Sequence, residues 1–264
     1  MMKLMKIITK FILNLTSVGS IVLIATLNPS QFAVMGQVIP QLPPGKPDTR
    51  SGGPRFIQPI ENIDDPPIGR VRSVRGGCAS SNQLSLTALV PKNKIGRTVS
   101  DYPTFFFYLP PTDAELAELI LEDESGNQIY QQDLTIKNLS GVIGVSIPAN
   151  TNVPPLEVGK NYTWKFSVVC DPEDRSSDQL ETGIVRRVEL TADILGQLDA
   201  ADPREKTFIY AENGIWQDAL GNLAAARRAN PNNPVFQTDW ESLLDSVTLP
   251  EIAKEPIVEM EAQP

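Results

Sequence analysis

The stretch Asn161 to Asp178, NYTWKFSVVCDPEDRSSD, decides the fold. Tyr162, Trp164, Phe166 and Val168 alternate with Thr163, Lys165 and Ser167, the two-residue period of a strand with one face on a core and the other in water. Cys170 ends the strand, and Asp171-Pro172 turns the chain into an acidic, serine-bearing loop.

Upstream the same period recurs in shorter pieces. Leu84, Leu86, Ala88 and Val90 form one run, stopped by Pro91. Thr104 to Leu109, TFFFYL, is apolar on both faces, as suits a central strand covered on each side, and Pro110-Pro111 closes it. Glu118 to Leu121 and Gln128 to Leu134 flank the turn Asp123-Glu124-Ser125-Gly126-Asn127 and predict a hairpin. Val142, Val145 and Ile147 mark another strand, and Gly183 to Leu190 the last. About seven short strands separated by Pro, Gly and Asn turns over residues 72–190 predict an all-β sandwich of immunoglobulin-like type.

Past Thr191 the period becomes helical, and residues 191–250 predict a small α-helical domain. Ile194, Leu195 and Leu198 suggest a short helix. Asp202 is a cap with Pro203 at the first helical position and Glu205 three after the cap, and Asn213-Gly214 is a fitting stop. The next helix, Ile215 to Ala229, carries Trp216, Ala219, Leu220, Leu223 and Ala226 on one stripe. A third follows Asn233-Pro234, with Phe236, Trp240, Leu243, Leu244 and Val247 on one face. The tail, residues 251–264, is acidic and is expected to fray.

The N-terminus places the chain outside the cytoplasm. Lys3, Lys6 and Lys10 precede an apolar run from Phe11 to Leu27, the order of a secretory signal spanning residues 1–36; a retained anchor is the other reading. Residues 37–71 are dense in Pro and Gly and predict a disordered linker. The net charge is -9, and residues 1–36 contribute three lysines and no acid, so nucleic acid is an unsuitable partner. A membrane is met only through the signal segment, if that is retained. In an oxidising compartment the two cysteines, Cys78 and Cys170, are expected to form a disulfide, with two unpaired thiols as the alternative.

Two resemblances add to this reading. Tyr210, Gly214, Trp216, Ala219, Leu223, Ala226 and Pro231 fall at the spacing of the second half of a tetratricopeptide repeat, and the segment looks like a single repeat-type hairpin. One such unit cannot bury its own apolar face, so it must pack on the sandwich, on the following helix or on a partner. At larger scale the ordered set Gly76-Gly77-Cys78, LTALVP from Leu86, PTFFFYLP from Pro103, LEVGKNYTWKFSVVCDPEDRS from Leu156 and YAENGIWQDAL from Tyr210 resembles the cyanobacterial secreted family of domain of unknown function 928, over Arg72 to Pro256. The resemblance implies export and supplies no activity. Ala79 and Ile184 depart from it, where an arginine and a tryptophan are expected.

Chemistry is sparse. The chain has no histidine, which removes Ser-His-Asp and Cys-His sites and the commonest zinc ligand. The densest acidic group surrounds Asp171, Asp174 and Asp178 and makes these three weak calcium candidates, but the glycine of a calcium loop is missing. A turn neutralised by Arg175 is the simpler expectation. Carboxylate pairs for sugar hydrolysis could in principle come from Glu122, Asp123 and Glu124 or from Asp171 and Asp174, but an aromatic content of 6% leaves little to line a sugar groove. The sequence therefore predicts a non-catalytic protein-binding or scaffold module of the cell envelope, without a cofactor, whose partner is an envelope or periplasmic protein. Gln217, Asn222, Arg227 and Arg228 are the expected exposed contacts. A hydrolase or a calcium-binding protein using residues 171–178 is the alternative.

Overall fold

A computed structural model of the chain describes residues 52–59, 78, 84–149 and 153–260. The expected signal segment, residues 1–36, lies outside the described residues.

Eight strands are present among the described residues: β1 (Thr87–Ala88), β2 (Ile95–Thr98), β3 (Thr104–Leu109), β4 (Leu116–Glu122), β5 (Gln128–Thr135), β6 (Gly141–Ser146), β7 (Asn161–Val169) and β8 (Gln179–Arg187). They form a three-stranded sheet, β1-β3-β6, and a five-stranded sheet, β2-β8-β7-β4-β5. All pairings are antiparallel except β2 with β8. The sandwich is as the alternation predicts, with two adjustments. The run from Leu84 contributes only two residues to a ladder, because Leu86, Leu89 and Val90 are all buried and dock into the core instead of alternating. The strand IGRT at Ile95–Thr98 has no apolar alternation; it is held by its parallel register against Ile184 to Arg187.

The aromatic residues fix the space between the sheets. Phe107 of β3 stacks on Phe166 of β7 with ring centroids 4.0 Å apart, and meets Trp164 edge-on at 5.6 Å. Such pairs contribute roughly 0.5–1.5 kcal/mol beyond the area they bury. Trp164 lies across β8 at Gly183, its register partner. A Cβ there would stand 2.3 Å from the indole Cζ2 and 2.6 Å from the Lys94 carbonyl oxygen, so this site accepts no side chain. Disulfide-bonded Cys78 and Cys170, with Cα atoms 5.2 Å apart, fasten residue 78 to the end of β7.

β3 is apolar on both faces because it has a layer on each side. Phe105 and Phe107 face the five-stranded sheet, while Phe106 lies 4.0 Å from where a Cβ on Gly221 would stand in the helical layer. That layer comprises α1 (Ala192–Ala200), α2 (Pro203–Glu212), α3 (Trp216–Ala229) and α4 (Pro234–Ser246). The caps follow the sequence: Thr191 accepts from the Ile194 amide, Asp202 from that of Glu205, and Asn233 from that of Val235. Gly214 ends the α2 turn at φ +70°, a left-handed conformation open to glycine, and a Cβ there would also strike Pro59 at 2.3 Å. The Trp216 indole donates to the Leu89 carbonyl at 2.7 Å, and the buried side chains of the sheets and helices form one continuous core. The α2–α3 hairpin therefore spends its apolar face on the sandwich and on α4.

One polar contact locks α2 to α4. Asp239, 1% exposed, takes both arms of the Arg204 guanidinium, at 2.5 and 2.9 Å. Among the described residues no helix is long and apolar enough to cross a membrane.

Two sequence expectations are corrected. Within the Pro-rich linker, residues 52–59 lie against the helices: Phe56 packs edge-on to Trp216 at 5.1 Å and its amide donates to Ser246 Oγ, while the Ile57 amide donates to the Ala211 carbonyl. Proline content here sets an extended backbone that suits a docked strap. The acidic tail likewise does not fray over its first part. Ile252 and Ala253 are buried, and Val142 and Ile257 form a parallel bridge in which the Val142 amide donates to Pro256 and the Val258 amide to Val142. The tail thus covers the free edge of β6, whose unpaired amides outweigh the repulsion among its few acids.

Candidate functional site

A polar cleft of about 250 Å³ opens at the seam between sheet and helices. One wall is the connection from β2 to β3, with Thr98, Ser100 and Tyr102, continued by Thr104 at the start of β3. The opposite wall is Tyr210 of α2 and the polar flank of α3, Gln217, Asp218, Gly221 and Asn222. Spacings of three and four residues put these α3 positions on one face, beside the apolar stripe of Trp216, Leu220 and Leu223.

Local hydrogen bonds shape the first wall. Thr98, fully buried, accepts from the Ser100 amide at 3.0 Å, and Ser100 Oγ accepts from that of Tyr102 at 3.1 Å. The Tyr102 hydroxyl donates to the Val153 carbonyl at 3.3 Å. On the other wall the Asn222 amide group donates to Thr207 Oγ1 at 2.7 Å and to the Pro203 carbonyl, which leaves its oxygen as the acceptor available to the cleft.

Asp218 ties the two walls together. Its carboxylate accepts from the Val99 amide at 3.1 Å and from the Thr98 hydroxyl. Withdrawal from water pushes its pKa above the ordinary carboxylate value, and the hydrogen bonds from Thr98, Val99 and its own amide only partly oppose this. Among the described residues, no lysine or arginine lines the cleft. Burial, then the nearby Asp218 charge, also pushes the Tyr210 hydroxyl up. Gln217 is 5% exposed and its Oε1 has no hydrogen-bond partner; it packs against Gly96, where a Cβ would stand 2.1 Å from that oxygen.

A pH signature follows. Because the folded pKa of Asp218 is raised, its contribution to stability is full below the unfolded value of 3.8 and is lost as pH rises through the folded pKa. Asp218→Asn removes that dependence, since an amide oxygen still accepts from Val99 but does not titrate. Its melting temperature relative to the unsubstituted protein is expected to rise between about pH 4 and pH 8, and a pH-independent difference would refute the assignment.

The sequence-predicted contacts divide. Gln217 and Asn222 line the cleft, but Gln217 is buried, not exposed, because α3 lies between β2 and its neighbouring helices. Arg227 is half-buried with its guanidinium over the Trp240 ring at 5.4 Å, and burial lowers its pKa. Arg228 is exposed at the end of α3. The structure does not bring Arg227 or Arg228 into the cleft lining. Sequence reasoning missed Asp218, Tyr210 and the Thr98–Tyr102 wall. The one available signal is Gly221, a glycine at the centre of an otherwise strong helix. A Cβ there meets only Phe106 at 4.0 Å, so packing does not demand its smallness.

The acidic candidates serve local structure. Asp174 caps a 3-10 turn at Arg175–Ser177 and accepts from the Ser176 amide; hydrogen bonds from the Ser176 hydroxyl first, and then from its amide, hold the carboxyl below the usual range. Asp171 accepts from the Glu173 amide, and Asp178 accepts from the Cys170 amide and pairs with Arg175, which also reaches Glu118. Among the described residues no group of three or more Cys, Asp or Glu side chains is placed to hold a metal ion. Near the hairpin turn Glu122 pairs with Lys165, Asp123 accepts from the Ser125 and Asn127 amides, and Glu124 accepts from the Asn161 amide.

No curated protein matches the chain. A solved structure, the fn3 domain of human collagen alpha-1(XX) chain, is similar at 15% identity and a TM-score of 0.27, over 44% of this chain and 93% of that one. The model of the family described as Domain of Unknown Function (DUF928) matches residues 70–257. That match takes in the sandwich, the cleft and all four helices, and the chain belongs to this family.

Proposed function

We propose that this protein is an exported, non-catalytic binding module of the cell envelope that recognises a protein partner at the seam between sheet and helices. The observation that carries the reading is the cleft itself: a polar recess whose walls come from two layers, with one carboxyl group and no basic residue among the described residues of its lining. A lone carboxyl without histidine or a second acid suits recognition better than acid–base chemistry. The lysine-led apolar N-terminus and the disulfide support export. The hydrogen-bonded state of Asp171, Asp174 and Asp178 gives the calcium or hydrolase alternative no comparable support.

The test compares the full chain, tagged and exported by its own N-terminus, with a Gly221→Leu variant. Leucine suits a helix better than glycine and fills the recess without touching its hydrogen bonds. Truncating the chain before α2 would be uninformative, because Trp216, Leu220 and Leu223 belong to the common core. A specific envelope protein is expected to co-purify with the unsubstituted chain and to be lost with Gly221→Leu at an unchanged melting temperature. Identical protein sets from both would overturn the proposal.

A further inference from the structure

We infer that the cleft takes an ammonium group, with the Asp218 carboxylate as its counter-charge and the rings of Tyr102 and Tyr210 along its flanks. This deepens the reading of the seam as a recognition surface and rests on it. Three independent observations converge. The first is electrostatic: Asp218 is held by the Val99 amide and the Thr98 hydroxyl, which orient a carboxylate but do not neutralise it, and among the described residues no lysine or arginine lines the recess. A half-buried carboxylate with no counter-charge beside it in the lining is a place where a cationic ligand is favoured.

The second observation is the wall chemistry. Asn222 has spent its amide hydrogens on Pro203 and Thr207, which leaves its Oδ1 to accept, whereas the buried Gln217 Oε1 is turned against Gly96. With the Asp218 carboxylate, that wall presents acceptors to the cleft, which match an N–H-bearing cation. Aromatic rings beside a carboxylate add attraction for ammonium through their negative faces. The third is Gly221. A glycine inside a helix is unfavourable relative to alanine, and the space beyond its Cα is open. The chain keeps the recess empty where helix propensity would fill it.

The same ammonium chemistry occurs in a free small amine and in a lysine side chain on a polypeptide. The experiment titrates the full chain, by calorimetry and amide chemical shifts, with n-butylammonium, with acetyl-Gly-Lys-Gly-amide, and with n-butanol as the neutral control. Both cations are expected to perturb residues around Thr98 and Asp218, and butanol is not. Asp218→Asn is expected to weaken cation binding by about tenfold or more. Gly221→Leu is expected to abolish it while leaving the carboxylate intact, so the result does not rest on one variant. A peptide that binds more tightly than butylammonium identifies the lysine side chain of a protein as the source; equal affinities identify a small amine. Butanol binding as well as butylammonium, cation binding indifferent to Asp218→Asn in a folded variant, or no binding by either cation would overturn the inference. Loss of a protein partner with Gly221→Leu, without cation binding, would leave the recognition surface standing and remove only the ammonium.

Discussion

Asp239→Ala is expected to lower the free energy of unfolding by about 3 to 5 kcal/mol, read as a shift of the urea midpoint at unchanged slope. The reason is asymmetry. Asp239 is 1% exposed and holds both arms of Arg204. Removing the carboxylate takes the bidentate partner from a guanidinium that is itself only 19% exposed between α2 and α4. The double variant Arg204→Met, Asp239→Leu takes away both charges together and is expected to recover most of the loss, because a well-packed apolar pair can match a buried ion pair. A double variant as unstable as the single one would show that the contact acts through geometry and not through charge.

The second large effect is expected at the disulfide. Cys78 and Cys170 close a loop with a sequence separation of 92, and the chain-entropy argument gives such a closure about 4 kcal/mol. Replacing both cysteines with serine, or adding a reductant, should therefore lower the unfolding midpoint by similar amounts, and the reductant should have no further effect on the serine variant. A reductant-insensitive midpoint in the unsubstituted protein would mean that the bond adds nothing to stability.

The sandwich was legible because its strands obey simple patterning. Tyr162, Trp164, Phe166 and Val168 are all buried on one face of β7, and the two-faced burial of β3 announces layers on both sides. β2 was not legible, since Gly96 and Arg97 carry no period and the strand exists through its long-range pairing with β8. Strap and tail were misread for a related reason. Composition reports what a segment does alone, whereas Phe56 and Ile257 are placed by surfaces more than a hundred residues away. The candidate site is hidden similarly. Asp218 and Asn222 sit where a helical wheel expects water, and only the two-layer architecture turns that polar flank into an enclosed wall. Local capping residues, by contrast, act within one turn, and Thr191, Asp202 and Asn233 all do what their identities suggest.

The strap and the tail also bear on when this chain can fold. The Phe56 amide is satisfied by Ser246, 190 residues later, and the edge of β6 is closed by residues near the end of the chain. Contacts of such separation carry a large loop-closure cost and come late in folding. A growing chain cannot dock the strap on α4, or cover the β6 edge, until residues 246 and 256–258 have emerged. Were the chain exported as we propose, that delay would keep the polypeptide threadable during passage across the membrane and let it complete its core on arrival, where the cysteines could also be oxidised.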